Sequence, residues 1–296
     1  MSGRKAKKIE GDGTHKTRTK LGMICHRYAK NRLAMIGLFI LVFMAVLILA
    51  APLYLDYSRV TTQQISQRFL PPGPGHLFGT DQLGRDLFAR VIYGGRISFF
   101  AGFASVGLSF VAGCALGGLA GYFGGKVDTV IMRIVDIFMA IPGMLLTMAV
   151  VAALGQGVAN MLIALSCAQI PRFTRVVRAS VMNLREQDFI LAARVGGMSQ
   201  MEIILKHILP NGLGPVIVSA TLSLGQTILS IASLGFLGIG VASPTPEWGT
   251  IISENKINVR YYPYLGIFPG IFIGLTVMAF NFVGDGIRDA LDPRMN

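Results

Sequence analysis

The chain has 296 residues, of which 52% are hydrophobic and only 14% charged, with a formal net charge of +12. Soluble domains carry about 25% charged residues, so the shortage excludes a soluble globular protein and points to a surface facing lipid. Ten of the 27 Lys and Arg (Arg4, Lys5, Lys7, Lys8, Lys16, Arg18, Lys20, Arg27, Lys30, Arg32) precede the first apolar run. That placement marks a topology determinant retained in the cytoplasm, able also to touch anionic lipid headgroups, rather than a nucleic-acid-binding surface.

Residues 1–32 form a basic, polar tail, disordered until near Leu21. Residues 33–296 read as one all-α integral membrane domain of six helices. The first span covers residues 34–55, too long for a cleaved signal peptide. Residues 56–96 make a long outer connection broken by Pro71-Pro72-Gly73-Pro74-Gly75. The second span, 97–121, holds Gly113, Gly117 and Gly121, two overlapping G-x-x-x-G repeats that permit close helix approach. A charged link, 122–133, leads to the third span, 134–154, kinked at Pro142. The fourth span, 155–173, is diluted by Asn160, Ser166 and Gln169. Residues 174–211 form a charged cytoplasmic loop, followed by spans 213–241 and 263–284. With both termini inside, inner segments hold twenty Lys and Arg against seven outside, the sign that the positive-inside rule requires.

Within the cytoplasmic loop, Phe189, Ile190, Ala193 and Gly197 outline a short amphipathic helix beginning near Asp188, and Gly196-Gly197 breaks it. Ser199 and Glu202 form a capping box for a second helix through Ile203, Ile204, His207 and Ile208, stopped by Pro210. Such an element fits either a groove on a partner or an amphipathic linker on the membrane surface. In the fifth span, Ser219, Ser223, Gln226, Ser230 and Ser233 recur on one helix face, suited either to bonding a neighbouring helix or to lining a wet passage. Asp136 with Arg133, and Asp285 with Arg288 near Asn281, have the spacing of helix-end ion pairs. Trp248 reads as an interfacial aromatic anchor, and residues 79–96 as a self-satisfied outer surface or a contact for a binding protein. Cys25, Cys114 and Cys167 have no disulfide or metal spacing and read as small packing residues. Gly125-Lys126 lacks the rest of a P-loop, and no H-E-x-x-H occurs, so the chain itself carries no enzyme motif.

Ala192, Ala193, Gly197 and the closing His207-x-Leu209-Pro210-Asn211 resemble the EAA loop of bacterial ABC importer permeases, with Leu191 where the namesake glutamate would stand. Gly79–Asp86, Tyr93–Ser98, Ala232–Gly238, Pro244–Gly249 and Gly284–Pro293 are similar to segments of the oligopeptide/dipeptide/nickel permease family, C-type. The resemblance implies a six-helix type I importer transmembrane domain in the bacterial cytoplasmic membrane. It also implies a homologous second permease, two ATP-binding subunits holding ATP and magnesium, and an extracytoplasmic solute-binding protein. The loop between Asp188 and His207 would then be the contact with the ATP-binding subunit. Peptides are the first choice of cargo, with nickel, glutathione or another small solute as alternatives. A stand-alone secondary transporter or channel is the reading from another class, and it would need charged residues deep in the spans.

Overall fold

A computed structural model describes residues 20–291; the basic tail before Lys20, together with Asp292, Pro293 and Arg294, lies outside the described residues. The described chain is helical, with no strand among the described residues. Helix α1 (Lys20–Lys30) is separated by Asn31 from α2 (Arg32–Leu49), whose first turn Asn31 caps by accepting the Ala34 N–H. Short turns α3 (Ala51–Tyr54) and α4 (Ser58–Thr61) lead through a coil to α5 (Leu87–Phe123). Helices α6 (Gly125–Met139), α7 (Gly143–Leu154), α8 (Val158–Arg185) and α9 (Asp188–Val195) follow. The chain then runs through α10 (Gln200–Glu202), a π-helical stretch (Ile203–Ile208), α11 (Leu209–Phe236), α12 (Trp248–Asn255) and α13 (Tyr264–Leu291).

Four helical stretches are each long and apolar enough to cross a bilayer: Arg32–Leu49, Leu87–Phe123, Gln200–Phe236 and Tyr264–Leu291. The third predicted span is not one rod. Helices α6 and α7 meet at 86° around residues 140–142, because Pro142 lacks the N–H that would continue α6. The fourth predicted span is longer than expected, since α8 continues as helix to Arg185. Residues 174–185, read as loop, are therefore a helical extension.

Glycine decides how close these helices come. A Cβ on Gly117 would lie 2.7 Å from the Val177 Cβ, and one on Gly121 would lie 2.8 Å from the Val181 Cβ. The two G-x-x-x-G repeats of α5 thus face α8, as their spacing suggests. Gly37 of α2 meets Ala279 and Phe282 of α13 in the same way.

The first ten residues of α5 fall in the predicted outer connection 56–96. Instead Asp86 caps the helix by accepting the Ala89 N–H, and Arg90 is fully buried. Arg90 Nη1 bonds Asp81 at 2.6 Å and Glu254 at 2.7 Å, while Arg85 reaches the same two carboxylates at 2.6 Å each. Burial raises the pKa of Glu254, but Arg90 and Arg85 more than offset this and hold it below the ordinary value. Trp248 is no interfacial anchor: it is completely buried, donates to the Val91 carbonyl at 2.8 Å, and meets Phe99 edge-on. Cys114 and Cys167 are half-buried as packing residues, whereas Cys25 is exposed.

Asp136 pairs not with Arg133 but with Arg175 of α8 at 2.6 Å. Asp285 and Arg288 make no ion pair with each other; Asp289 instead accepts from Asn31 at 3.0 Å. At Asp136 the tertiary neighbour displaces the local one.

Candidate functional site

Two places hold the residues singled out by sequence. One is the element after α8, at the end of the bundle where α5 finishes: Arg185 donates to Gly121 O at 3.2 Å, and Arg194 lies over the Tyr122 ring at 5.9 Å. The Trp248–Val91 and Ser98–Glu247 contacts mark the other end of α5. A 37-residue helix separates the two ends by about 55 Å at 1.5 Å per residue.

Helix α9 ends in a Schellman arrangement. Gly197, at φ +80°, donates to Arg194 O, and Met198 donates to Ala193 O, both at 3.2 Å. The expected capping box forms next: Ser199 Oγ accepts the Glu202 N–H at 3.3 Å, and Glu202 Oε2 accepts the Ser199 N–H at 3.2 Å. Lys206 adds a 3.1 Å ion pair to Glu202. Ile190, Ile203, Ile204 and Ile208 are buried against Phe173, Val177 and Val181. The opposite face leaves Phe189, Leu191, Val195, Met201 and Leu205 exposed, with Asp188, Ala192, Gly196 and Gly197 exposed beside them. His207 is half-buried, and its carbonyl accepts from Asn211 at 2.7 Å.

Pro210 does not stop the second helix. Leu209 donates to Ile204 O, a π-type bond that lengthens the turn just before the proline, and the helix runs on into α11. The wider turn absorbs the missing N–H of Pro210 where an α-helical ladder would break.

The second place is a cavity of about 450 Å³ between α7, α8 and α11. Ser223, Gln226, Ser230 and Ser233 line it; Ser219 is buried and lies outside it. Ser230 and Ser233 donate to the carbonyls of Gln226 and Leu229 in their own helix, at 2.9 and 2.8 Å. Gln226 is exposed to the cavity. A side-chain bond runs across it from Thr227 Oγ1 to Gln169 Oε1 at 3.2 Å.

Thr147, Gln169, Arg172 and Thr227 also line the cavity, and the sequence reading missed them. Gln169 had counted as a dilution of the fourth span and Arg172 as a cytoplasmic charge. Their i, i+3 spacing with Leu165 and Ala168 places them on one face of α8, the same signal that exposed the serine stripe. Helix α8 has four arginines. Arg175 and Arg178 pair with Asp136 and Asp128, and Arg185 holds Gly121 O; Arg172 has no hydrogen bond or ion pair among the described residues.

Residues 113–296 match the family described as binding-protein-dependent transport system inner membrane component, and residues 19–72 match the N-terminal TM domain of oligopeptide transport permease C. The dipeptide transport system permease protein of Alkalihalophilus pseudofirmus is 46% identical over 90% of this chain and 87% of its own length. The oligopeptide transport system permease protein of Bacillus subtilis is 38% identical over 91% and 88%. A glutathione transport system permease protein of Pectobacterium atrosepticum is 41% identical over 88% and 86%. Among solved structures, an inward-facing MetNI methionine ABC transporter chain shares the fold, with a TM-score of 0.57 at 21% identity over 70% of this chain and 98% of that one. The fold is that of a type I importer transmembrane domain, and the chain belongs to the family of binding-protein-dependent inner-membrane permeases of ABC transporters.

Proposed function

We propose that this chain forms one half of the membrane passage of an ATP-driven importer of di- or oligopeptides. A homologous permease supplies the other half. Two ATP-binding subunits, which hold ATP and magnesium, dock on the element from Asp188 to His207, and an extracytoplasmic binding protein delivers the peptide. Both termini lie in the cytoplasm. Closure of the ATP-binding subunits pushes the capped α9–α10 element, and α8 and α11, which enter and leave it as continuous helices, carry that motion to the cavity.

The cavity lining carries the reading. It offers hydroxyls, amides and an arginine, and no carboxylate. Such a lining suits a zwitterionic or anionic solute better than a bare divalent cation, which prefers oxygen anions. Relatives named for dipeptides and oligopeptides support the same class, and the glutathione relative supports a second reading within it. The test is reconstitution in proteoliposomes with partner permease, ATP-binding subunits and binding protein. ATP-dependent uptake of labelled dipeptide is expected, and Gln226→Leu should lower it. Full uptake by this chain alone would overturn the reading in favour of a stand-alone transporter.

A further inference from the structure

The unpaired Arg172 has a consequence for what the cavity binds. Arg172 stands exposed midway along the 28-residue α8, and a guanidinium that helices of a membrane protein surround is costly unless an anion or water reaches it. The other three arginines of α8 meet that need with Asp136, Asp128 and the Gly121 carbonyl. Arg172 does not, and it lines a cavity whose other polar walls are Gln169, Gln226, Ser223 and Ser230. The serine hydroxyls are largely engaged with their own helix, and the Gln169 amide oxygen is engaged with Thr227. The Gln169 amide N–H is also engaged, with the Leu165 carbonyl, so the free donors facing the space are the Arg172 guanidinium, the Gln226 amide and the Ser223 hydroxyl, a set matched to a carboxylate.

We propose that Arg172 receives a carboxylate of the passing solute, for a peptide its C-terminal carboxylate, while Gln226 helps orient it. This rests on the peptide-permease reading. The planar guanidinium suits bidentate contact with a carboxylate, a geometry that lysine lacks. The bond forms only in transit, because no acid among the described residues lines the cavity to hold the arginine at rest. The same carboxylate chemistry could come from an acidic side chain of the partner permease, and the experiment separates the two sources.

The complete reconstituted transporter is assayed for ATP-dependent uptake of one dipeptide and of its C-terminal amide, with the wild-type chain, Arg172→Gln and Arg172→Lys. The ratio of acid to amide uptake is the readout, since any preference of the binding protein is common to all three and cancels. Loss of a charge-assisted bond predicts that Arg172→Gln lowers this ratio about tenfold or more, by slowing the acid selectively. Arg172→Lys should lower it less, and it supplies the comparison if the glutamine variant assembles poorly. An unchanged ratio in both variants overturns the proposal. Equal slowing of acid and amide assigns the arginine to a partner-permease carboxylate and also overturns it. Wild-type complexes that hydrolyse ATP but import neither compound would sink the peptide reading itself, and the proposal with it.

Discussion

The bend at Gly197 is where a small change should have a readable effect. Gly197 sits at φ +80°, with no atom within 4 Å of where a Cβ would be. Gly197→Ala therefore adds no clash, only the cost of a left-handed L-residue, about 1–2 kcal/mol. Gly196 has an ordinary φ of −68°, so alanine there is the low-strain control. Ser199→Ala removes part of the other stop, the 3.3 Å bond that Ser199 Oγ accepts from the Glu202 N–H, for about 1 kcal/mol, while the Ser199 N–H still donates to Glu202. Neither change touches the buried anchors Ile190, Ile203 and Ile208, so the bundle should stay folded while the turn loosens. One or two kcal/mol alters a local opening equilibrium by about 5–30-fold. Hydrogen exchange at the Gly197 and Met198 amides, which close the α9 end, should accelerate by that factor in Gly197→Ala. In the assembled transporter, coupling of ATP hydrolysis to uptake should fall with it. Unchanged exchange would refute the strain argument. Faster exchange with full coupling would refute the assignment of this element as the ATP-binding subunit's seat.

Gly117→Leu should separate α5 from α8, because its Cβ alone would meet Thr174 O at 2.5 Å and the Val177 Cβ at 2.7 Å. The overpacking costs about 1–3 kcal/mol, read as a lower Tm in detergent, whereas Gly107→Ala, with nothing within 4 Å, should leave Tm unchanged. Glu254→Gln should destabilise the fold by about 3–5 kcal/mol, since it leaves two buried guanidinium groups on Asp81 alone. The Glu254 pKa is depressed in the folded state, so its contribution is complete above the unfolded value near 4.5 and is lost as pH falls through the lower folded value. Acid titration of Tm should show that loss in the wild type and a flatter curve in Glu254→Gln.

Features set within one helical turn were legible from sequence. Ser199 and Glu202 lie three residues apart, and their reciprocal bonds need nothing from elsewhere. Gly113, Gly117 and Gly121 announced a close neighbour without saying which, and the serine stripe announced an inward face without saying onto what. The failures have another origin. Trp248 was assigned by a rule for tryptophan at lipid interfaces, but Gly95 leaves room for its ring and Val91 O receives its N–H. Pro210 was assigned by a rule for α-helices, and a single π-type turn evaded it.

Charge misled most consistently, and for one reason. In a chain this apolar, each arginine looks like a mark of solvent, so Arg90 drew the start of α5 out into a loop and Arg175 drew the end of α8 into another. Both are paired with carboxylates remote in sequence, Arg90 with Glu254 and Arg175 with Asp136. An arginine on a membrane helix thus marks solvent only after its tertiary partners are known. By that measure Arg178 is a structural strut to Asp128 and Arg185 a tie to α5. Arg172, alone on α8 in having no partner among the described residues, is the one that lines the cavity unpaired.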